Sequence, residues 1–233
     1  MKTILITGSS RGIGLELVRQ LATGSPCEII ATCRDPESSE ELNDLAKTYP
    51  SKIKVLPLDV ESETSIESLA KQLEGHSIDL LYNNAGILDW RTIEELEAPV
   101  MERIYKVNVV GVMLVLRSFL PHLRRANAPL VVNVSSRLGS ISLRGNTQLG
   151  GAIGYSASKA ALNMLTKQAS IDLAANGITV VSISPGWVRT DMGGPDAKYS
   201  VEESVEKIIR NTEGFEPKDS GGFFGEDGET IPY

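Results

Sequence analysis

The sequence predicts one α/β domain over residues 1–233, a doubly wound parallel sheet of about seven strands with helices on both faces. Three observations predict it. Short β-branched runs alternate with longer stretches of helical period along the whole chain. The strand runs are apolar throughout, as strands covered on both faces are. The chain has 233 residues, 41% hydrophobic and 23% charged, which is globular composition. A chain of this length buries roughly 70% of its unfolded surface without staples.

The elements follow in order. Strands are expected over 3–7, 28–32, 54–58, 80–82, 130–134 and 179–183. Helices are expected over 12–23, 40–48, 64–74, 100–126, 154–176 and 200–211. Thr64 and Glu67 have the spacing of a capping box. Pro121 should kink or shorten the long middle helix. Gly177 after Asn176 is a C-terminal stop. The tail over 221–233 is glycine-rich but holds Phe223, Phe224, Ile231 and Tyr233, so a last strand and turn are expected there. No linker, low-complexity tract or repeat divides the chain.

Composition excludes several classes. With 23 Lys+Arg against 30 Asp+Glu the net charge is -7, which argues against nucleic acid or an anionic membrane as partner. Cys27 and Cys33 would lie about 20 Å apart along one strand, too far for a disulfide. His76 and His122 show no metal-ligand spacing, and no metal site is expected. The start, MKTILITGSS, lacks a secretory apolar region, and no charge-free apolar stretch reaches ~18 residues. A soluble, cytoplasmic protein is expected.

After the first strand comes Thr7-Gly8-Ser9-Ser10-Arg11-Gly12-Ile13-Gly14. Glycines there let the backbone turn tightly against a pyrophosphate at a helix N-terminus, where free N–H groups favour an anion. This reads as a Rossmann-type dinucleotide site. A carboxylate about 20 positions on would hold a ribose 2′-hydroxyl. Arg34 stands there instead, and a guanidinium suits a 2′-phosphate. Arg11 could add a second positive charge. NADP is therefore expected over NAD, with Asp35, one residue on, as the competing carboxylate.

Tyr155 and Lys159 stand four apart at the start of a predicted helix, on one face. An ammonium near a phenol favours the phenolate, so such a tyrosine could exchange a proton with a carbonyl or alcohol oxygen. Ser135-Ser136, Asn83-Asn84-Ala85-Gly86, Pro185-Gly186 and Thr190 all follow strands, on the sheet edge where α/β folds bind ligands.

With these motifs in order, joined by Asp59-Val60 and Asn108, the chain resembles the short-chain dehydrogenases/reductases along nearly its whole length. Thr32-Cys33-Arg34 and the segment 185–194 look like the sniffer-type/C-factor-like carbonyl reductases among them. The resemblance implies that Tyr155 is the general acid in carbonyl reduction. Lys159 would lower its pKa and hold the nicotinamide ribose. Ser136 would bond the substrate oxygen, with Ser135 its rival, and Asn108 would order a water. Asp59 would bind the adenine amino group, with Val60 beside the ring. Asn84, Ala85 and Gly86 would line the adenosine ribose side, and Val188 and Thr190 the carboxamide.

Two departures stand out. Ser136 and Tyr155 are 19 residues apart, longer than usual in the family, and 143–154 is expected to form a mobile, glycine-rich wall of the substrate pocket. The segment after Thr190 is short, so an open pocket is expected. The leading expectation is an NADPH-dependent reductase of a small-molecule ketone or aldehyde. A nucleotide-binding regulatory or signalling protein of the same fold, and an NAD-dependent alcohol dehydrogenase, are the alternatives. Pairing of long helices leaves a homodimer or homotetramer open.

Overall fold

The structure, a computed structural model, describes residues 1–24, 26–145 and 150–233. Chain order is β1 (Lys2–Thr7), α1 (Gly12–Thr23), β2 (Cys27–Cys33), α2 (Glu40–Thr48), β3 (Ile53–Pro57), α3 (Glu63–Gln72), β4 (Leu80–Asn83), α4 (Ala98–Tyr105), a π-helical segment (Lys106–Gly111), α5 (Val112–Leu123), β5 (Leu130–Val134), α6 (Ile141–Arg144), α7 (Ile153–Asp172), β6 (Thr179–Ile183), α8 (Val201–Gly214) and β7 (Phe223–Phe224). The strands form one seven-stranded sheet in the order β3-β2-β1-β4-β5-β6-β7, and every pair is parallel.

Successive strand residues point to opposite faces, and here both faces are covered. Ile4, Ile6, Ile29, Ala31, Tyr82, Val132 and Val181 join a core with Leu15, Val18, Leu42, Val205 and Ile208 from α1, α2 and α8. Leu5, Ile30, Leu81, Val131 and Val180 face the other way, against Ile66 and Leu69 of α3, Val115 and Phe119 of α5 and Ala169 of α7. Full burial on both sides leaves polar chemistry only the sheet's ends. Strand order reverses between β2-β1 and β4-β5, which opens a crevice at the carboxyl ends of β1 and β4.

Three expected details differ. Helix α3 is capped by Ser62, whose Oγ accepts from Ser65 N at 3.2 Å, and Thr64 lies inside the helix. Two hydroxyls compete here, and the one in extended backbone wins. The helix expected over 100–126 ends at Leu123, two residues after Pro121, and contains the π-helical segment. By length and composition Ala98–Leu123 could cross a membrane, yet half of its most apolar window is buried inside the fold. The expected glycine-rich wall over 143–154 lies partly outside the described residues. Of its described glycines, 145 and 150 would leave an added β-carbon with nothing within 4 Å, whereas 151 and 154 are close-packing positions. A β-carbon on Gly151 would lie 2.5 Å from the Trp90 carbonyl oxygen, and one on Gly154 3.0 Å from Ile104. The last strand and turn form as expected, with Phe224 bridging Thr230.

After β5 a one-turn 3-10 helix (Arg137–Gly139) lies against α7. A β-carbon on Gly139 would stand 2.7 Å from the Lys159 carbonyl carbon and 2.8 Å from its Cβ. Gly139→Ala should therefore push α7 aside and destabilise the protein by about 1–3 kcal/mol. Calorimetry should show a fall of several degrees in Tm. Gly214→Ala, with nothing within 4 Å of the added carbon, is the control and should leave Tm nearly unchanged.

Candidate active site

A cleft of about 560 Å³ lies at the carboxyl edge of the sheet. Its lining includes Gly8, Ser10, Arg11, Gly12, Ile13, Arg34, Asp59, Val60, Asn84, Ala85, Gly86, Tyr155, Lys159, Pro185 and Thr190. Cys33, Glu41, Ile87, Ser135, Arg189, Asp191 and Met192 also line it. Cys33, Ser135, Arg189, Asp191 and Met192 lie within the segments that carried the family resemblance without a role of their own, whereas Glu41 of α2 and Ile87 after β4 had no sequence signal. Gly14, Asn108, Ser136, Gly186 and Val188 are not among the lining residues.

The glycine loop meets β4 so closely that side chains cannot intervene. Gly8 has φ +70°, and a β-carbon there would lie 2.9 Å from Ala85 Cα. One on Gly14 would lie 2.1 Å from the Gly8 oxygen. Gly14 thus serves helix–strand packing. Thr7 Oγ1 accepts from Asn84 N and Ala85 N at 3.0 and 3.1 Å, and Asn84 Nδ2 donates to the Thr7 and Gly8 oxygens at 3.0 and 3.1 Å. The Asn84 side chain therefore stitches β4 to the loop. Helix α1 starts at this loop with no side-chain cap and no acidic residue in its first turn, so its free N–H groups suit an anion.

At the far end of β2, Arg34 is exposed and has no ion-pair partner among the described residues. Asp35 turns into its own loop, where Oδ1 accepts from Glu37 N and Ser38 N at 3.2 and 3.3 Å. Arg11 reaches across the cleft mouth to Asp191 at 3.1 Å, and both are largely exposed. Asp59 Oδ1 accepts from Glu61 N at 2.9 Å. Val188 is buried and bridges to Tyr199.

Helix α7 carries Tyr155 and Lys159 into the cleft, both buried. Lys159 Nζ donates to the Val134 oxygen at 2.7 Å and lies 5.5 Å from the Tyr155 ring centre. Burial pushes the Tyr155 hydroxyl up to about 12, and hydrogen bonding with the Ser136 side chain pulls it partly back. The expected lowering by Lys159 does not appear: burial and the Ser136 bond set the Tyr155 hydroxyl, and the ammonium sits 5.5 Å from the ring centre. Burial also takes Lys159 down to about 8.

Of the two serines, Ser135 donates to Asn163 Oδ1 at 2.6 Å and is committed to the core. Ser136 stands beside Tyr155. Asn108 lies in the π-helical segment. Its Oδ1 accepts from Ile87 N at 2.9 Å, and its Nδ2 donates to the Ile87 oxygen at 2.9 Å and Ser158 Oγ at 3.0 Å. The side chain is thus spent on fastening the loop after β4 to α7. Such π bulges recur at functional sites, and no residue pattern announced this one. Cys27 and Cys33 are free and buried. Among the described residues no group of three or more His, Cys, Asp or Glu could hold a metal ion.

A family profile described as short chain dehydrogenase matches residues 2–199. The chain belongs to that family. An uncharacterized oxidoreductase of Schizosaccharomyces pombe is 33% identical to this short-chain dehydrogenase, over 100% of this chain and 98% of its own. The C-signal protein of Myxococcus xanthus is 40% identical over 157 residues, 67% of this chain and 93% of its own. Among solved structures, the NADPH-bound carbonyl reductase from chicken fatty liver superposes with a TM-score of 0.95 at 36% identity, covering 100% of this chain and 99% of its own. The carbonyl reductase Sniffer of D. melanogaster gives 0.94 at 35% identity, with both chains covered fully. The likeness to sniffer-type reductases read from the sequence is borne out.

Burial of the Lys159 ammonium has a direct readout. Its 13Cε resonance, assigned by loss in Lys159→Met, should titrate with a midpoint of about 8. A midpoint near the ordinary 10.5 would mean that water reaches the ammonium.

Proposed function

We propose that this short-chain dehydrogenase is an NADPH-dependent carbonyl reductase, converting a ketone or aldehyde to an alcohol with Tyr155 as proton donor. The observation that carries this reading is the meeting of Tyr155 and Lys159 at one end of the cleft, with Ser136 hydrogen-bonded to Tyr155, while the cleft's other end holds Arg34, which has no ion-pair partner among the described residues. The residues present fit a nicotinamide dinucleotide phosphate. The uncapped α1 N-terminus and glycine loop would take the pyrophosphate, Arg34 the 2′-phosphate, Asp59 the adenine amino group, and Lys159 the nicotinamide ribose. Ala85 and Gly86 would border the adenosine ribose, and Thr190 with the Pro185–Gly186 turn the carboxamide. When bound, NADPH supplies the hydride that adds to the carbonyl carbon.

The chain's own residues handle the oxygen. Ser136 donates a hydrogen bond to it, and Tyr155 Oη gives up the proton that makes it a hydroxyl. A phenol at about 12 keeps that proton at neutral pH. Lys159, charged below about 8, stabilises the phenolate left behind. Asn108 fastens α7 to the loop after β4, and we assign the implied water-holding role to its backbone, since its side chain is engaged. The reduction rate should fall as pH rises through about 8, because the ammonium is lost while Tyr155 stays protonated.

The test is NADPH consumption across a panel of carbonyl compounds. Tyr155→Phe should cut turnover by about 10²–10⁴-fold, the usual worth of general acid catalysis, with NADPH affinity little changed. Lys159→Ala should damage both. Near-wild-type reduction by Tyr155→Phe would remove Tyr155 as the acid.

Cofactor choice is tested separately. Charge-assisted bonds are each worth about 1.5–3 kcal/mol, so Arg34→Asp should weaken NADPH about tenfold or more and help NADH. Equal wild-type affinity for the two would sink the preference. The likeness to C-signal keeps a regulatory reading in view, which predicts NADPH binding without turnover of any carbonyl.

A further inference from the structure

We propose that Arg137, gripped by Glu226 and Glu229 of the C-terminal turn, is a positioning residue for Ser136. The turn would thereby share in carbonyl reduction although none of its residues touches the reacting atoms. The proposal rests on the reading of Ser136 and Tyr155 given above.

Ser136 ends β5 in extended backbone, and its Oγ accepts from Leu138 N at 3.1 Å. That bond occupies one lone pair and leaves the proton and the other lone pair for Tyr155 and a substrate oxygen. The direction of the hydroxyl thus depends on where the single turn Arg137–Gly139 sits. Gly139 presses that turn against α7 from one side. From the other side the Arg137 backbone N donates to Ser184 Oγ at 3.2 Å, and its Nε donates to Glu226 Oε2 at 3.0 Å. Nη2 lies 3.0 Å from the same Glu226 oxygen and also bonds Glu229 Oε1. Burial works against the Arg137 charge, and the bonds and attraction of the two carboxylates more than restore it.

The C-terminal turn is shaped to present these carboxylates. Gly225 N donates to the Glu229 oxygen at 2.8 Å, and Asp227 N donates to Glu229 Oε2 at 3.1 Å. Asn211 Nδ2 holds the Glu226 carbonyl at 3.0 Å. Glu226 is buried, and a β-carbon on Gly186 would stand 3.2 Å from its Cδ. The same carboxylate therefore backs both the serine turn and the Pro185–Gly186 turn. Beyond it, the Tyr233 carbonyl accepts from Ser142 N at 3.1 Å, and the Pro232 carbonyl accepts from Ser140 Oγ. The tail is tied to the segment after Ser136 at three residues. A staple that served only stability could be apolar, since ion pairs as exposed as Arg137 and Glu229 add only about 0–1 kcal/mol. A planar guanidinium shared by two carboxylates fixes a direction, and it is attached one peptide from the serine.

The experiment is a double-mutant cycle on the full chain between Arg137→Met and Ser136→Ala. Arg137→Met should lower kcat about 10–100-fold, the scale of a misplacement of about 1 Å, with KM for NADPH within about twofold. In the Ser136→Ala background it should cost almost nothing further. Arg137→Lys, a point charge in place of a fork, should recover only part of the loss. Additive losses, or a rise in NADPH KM matching the fall in kcat, would overturn the proposal.

If Arg137→Met does not fold, Glu226→Gln enters the same cycle. A second readout needs no turnover. The Tyr155 13Cζ resonance, assigned with Tyr155→Phe, should move in the same direction in Arg137→Met as in Ser136→Ala. An unmoved resonance overturns the positioning role. Absence of carbonyl reduction by the wild type would overturn the functional reading instead, while the resonance still decides this one.

Discussion

The site is organised around a buried ammonium. Lys159 sits under α7 with one bond to the Val134 carbonyl, and its drop from 10.5 to about 8 corresponds to destabilisation on the order of 3 kcal/mol at neutral pH. Packing alone would favour an apolar residue there. On the proposed function, a phenolate or an anion that joins the lysine would offset this cost. Tyr155 lies beside it, its ring centre 5.5 Å from the ammonium. Its hydroxyl stays protonated because the same burial that weakens the ammonium also disfavours the phenolate. Both residues depend on α7 lying hard against the turn after β5, a contact that Gly139 permits.

Around this pair, hydrogen bonds join the strands below while the cleft stays open above. A buried chain of side chains crosses the sheet beneath the site. Asn83 donates to Asn133 at 2.8 Å, Asn133 to Thr166 at 2.8 Å, and Thr166 meets Ser182 at 2.8 Å. Together these bonds tie β4, β5 and β6 to α7, and each satisfied polar pair fixes register more sharply than apolar contacts would. At the mouth, Arg11 of the glycine loop pairs with Asp191 of the segment after β6, both solvated. Such a pair is worth roughly 0–1 kcal/mol and yields easily to a competing phosphate.

The sheet, its helices and the edge that carries the chemistry were legible in the residues. A parallel sheet buried on both faces writes itself as apolar runs, and polar groups after those runs have nowhere else to go. Ser62 rather than Thr64 capping α3 was a contest between neighbouring hydroxyls that only the backbone angles settle. The π-helical segment around Asn108 had no signature in the residues; there the backbone lies close to Val60, a β-carbon on Gly111 falling 2.6 Å from the Val60 oxygen.

By itself, then, the sequence determined which side chains can do acid–base and anion chemistry and that one sheet edge collects them, since spacing and periodicity are local properties. Tertiary structure decided between near neighbours. It committed Ser135 to Asn163 and left Ser136 beside Tyr155. It folded Asp35 into its own turn and left Arg34 in the cleft, and it gave Arg11 to Asp191. It also brought Glu226 and Glu229 to Arg137 across some ninety residues of chain. Each of these choices depends on which oxygen comes within about 3 Å of which nitrogen, and that is set by packing between elements far apart in sequence.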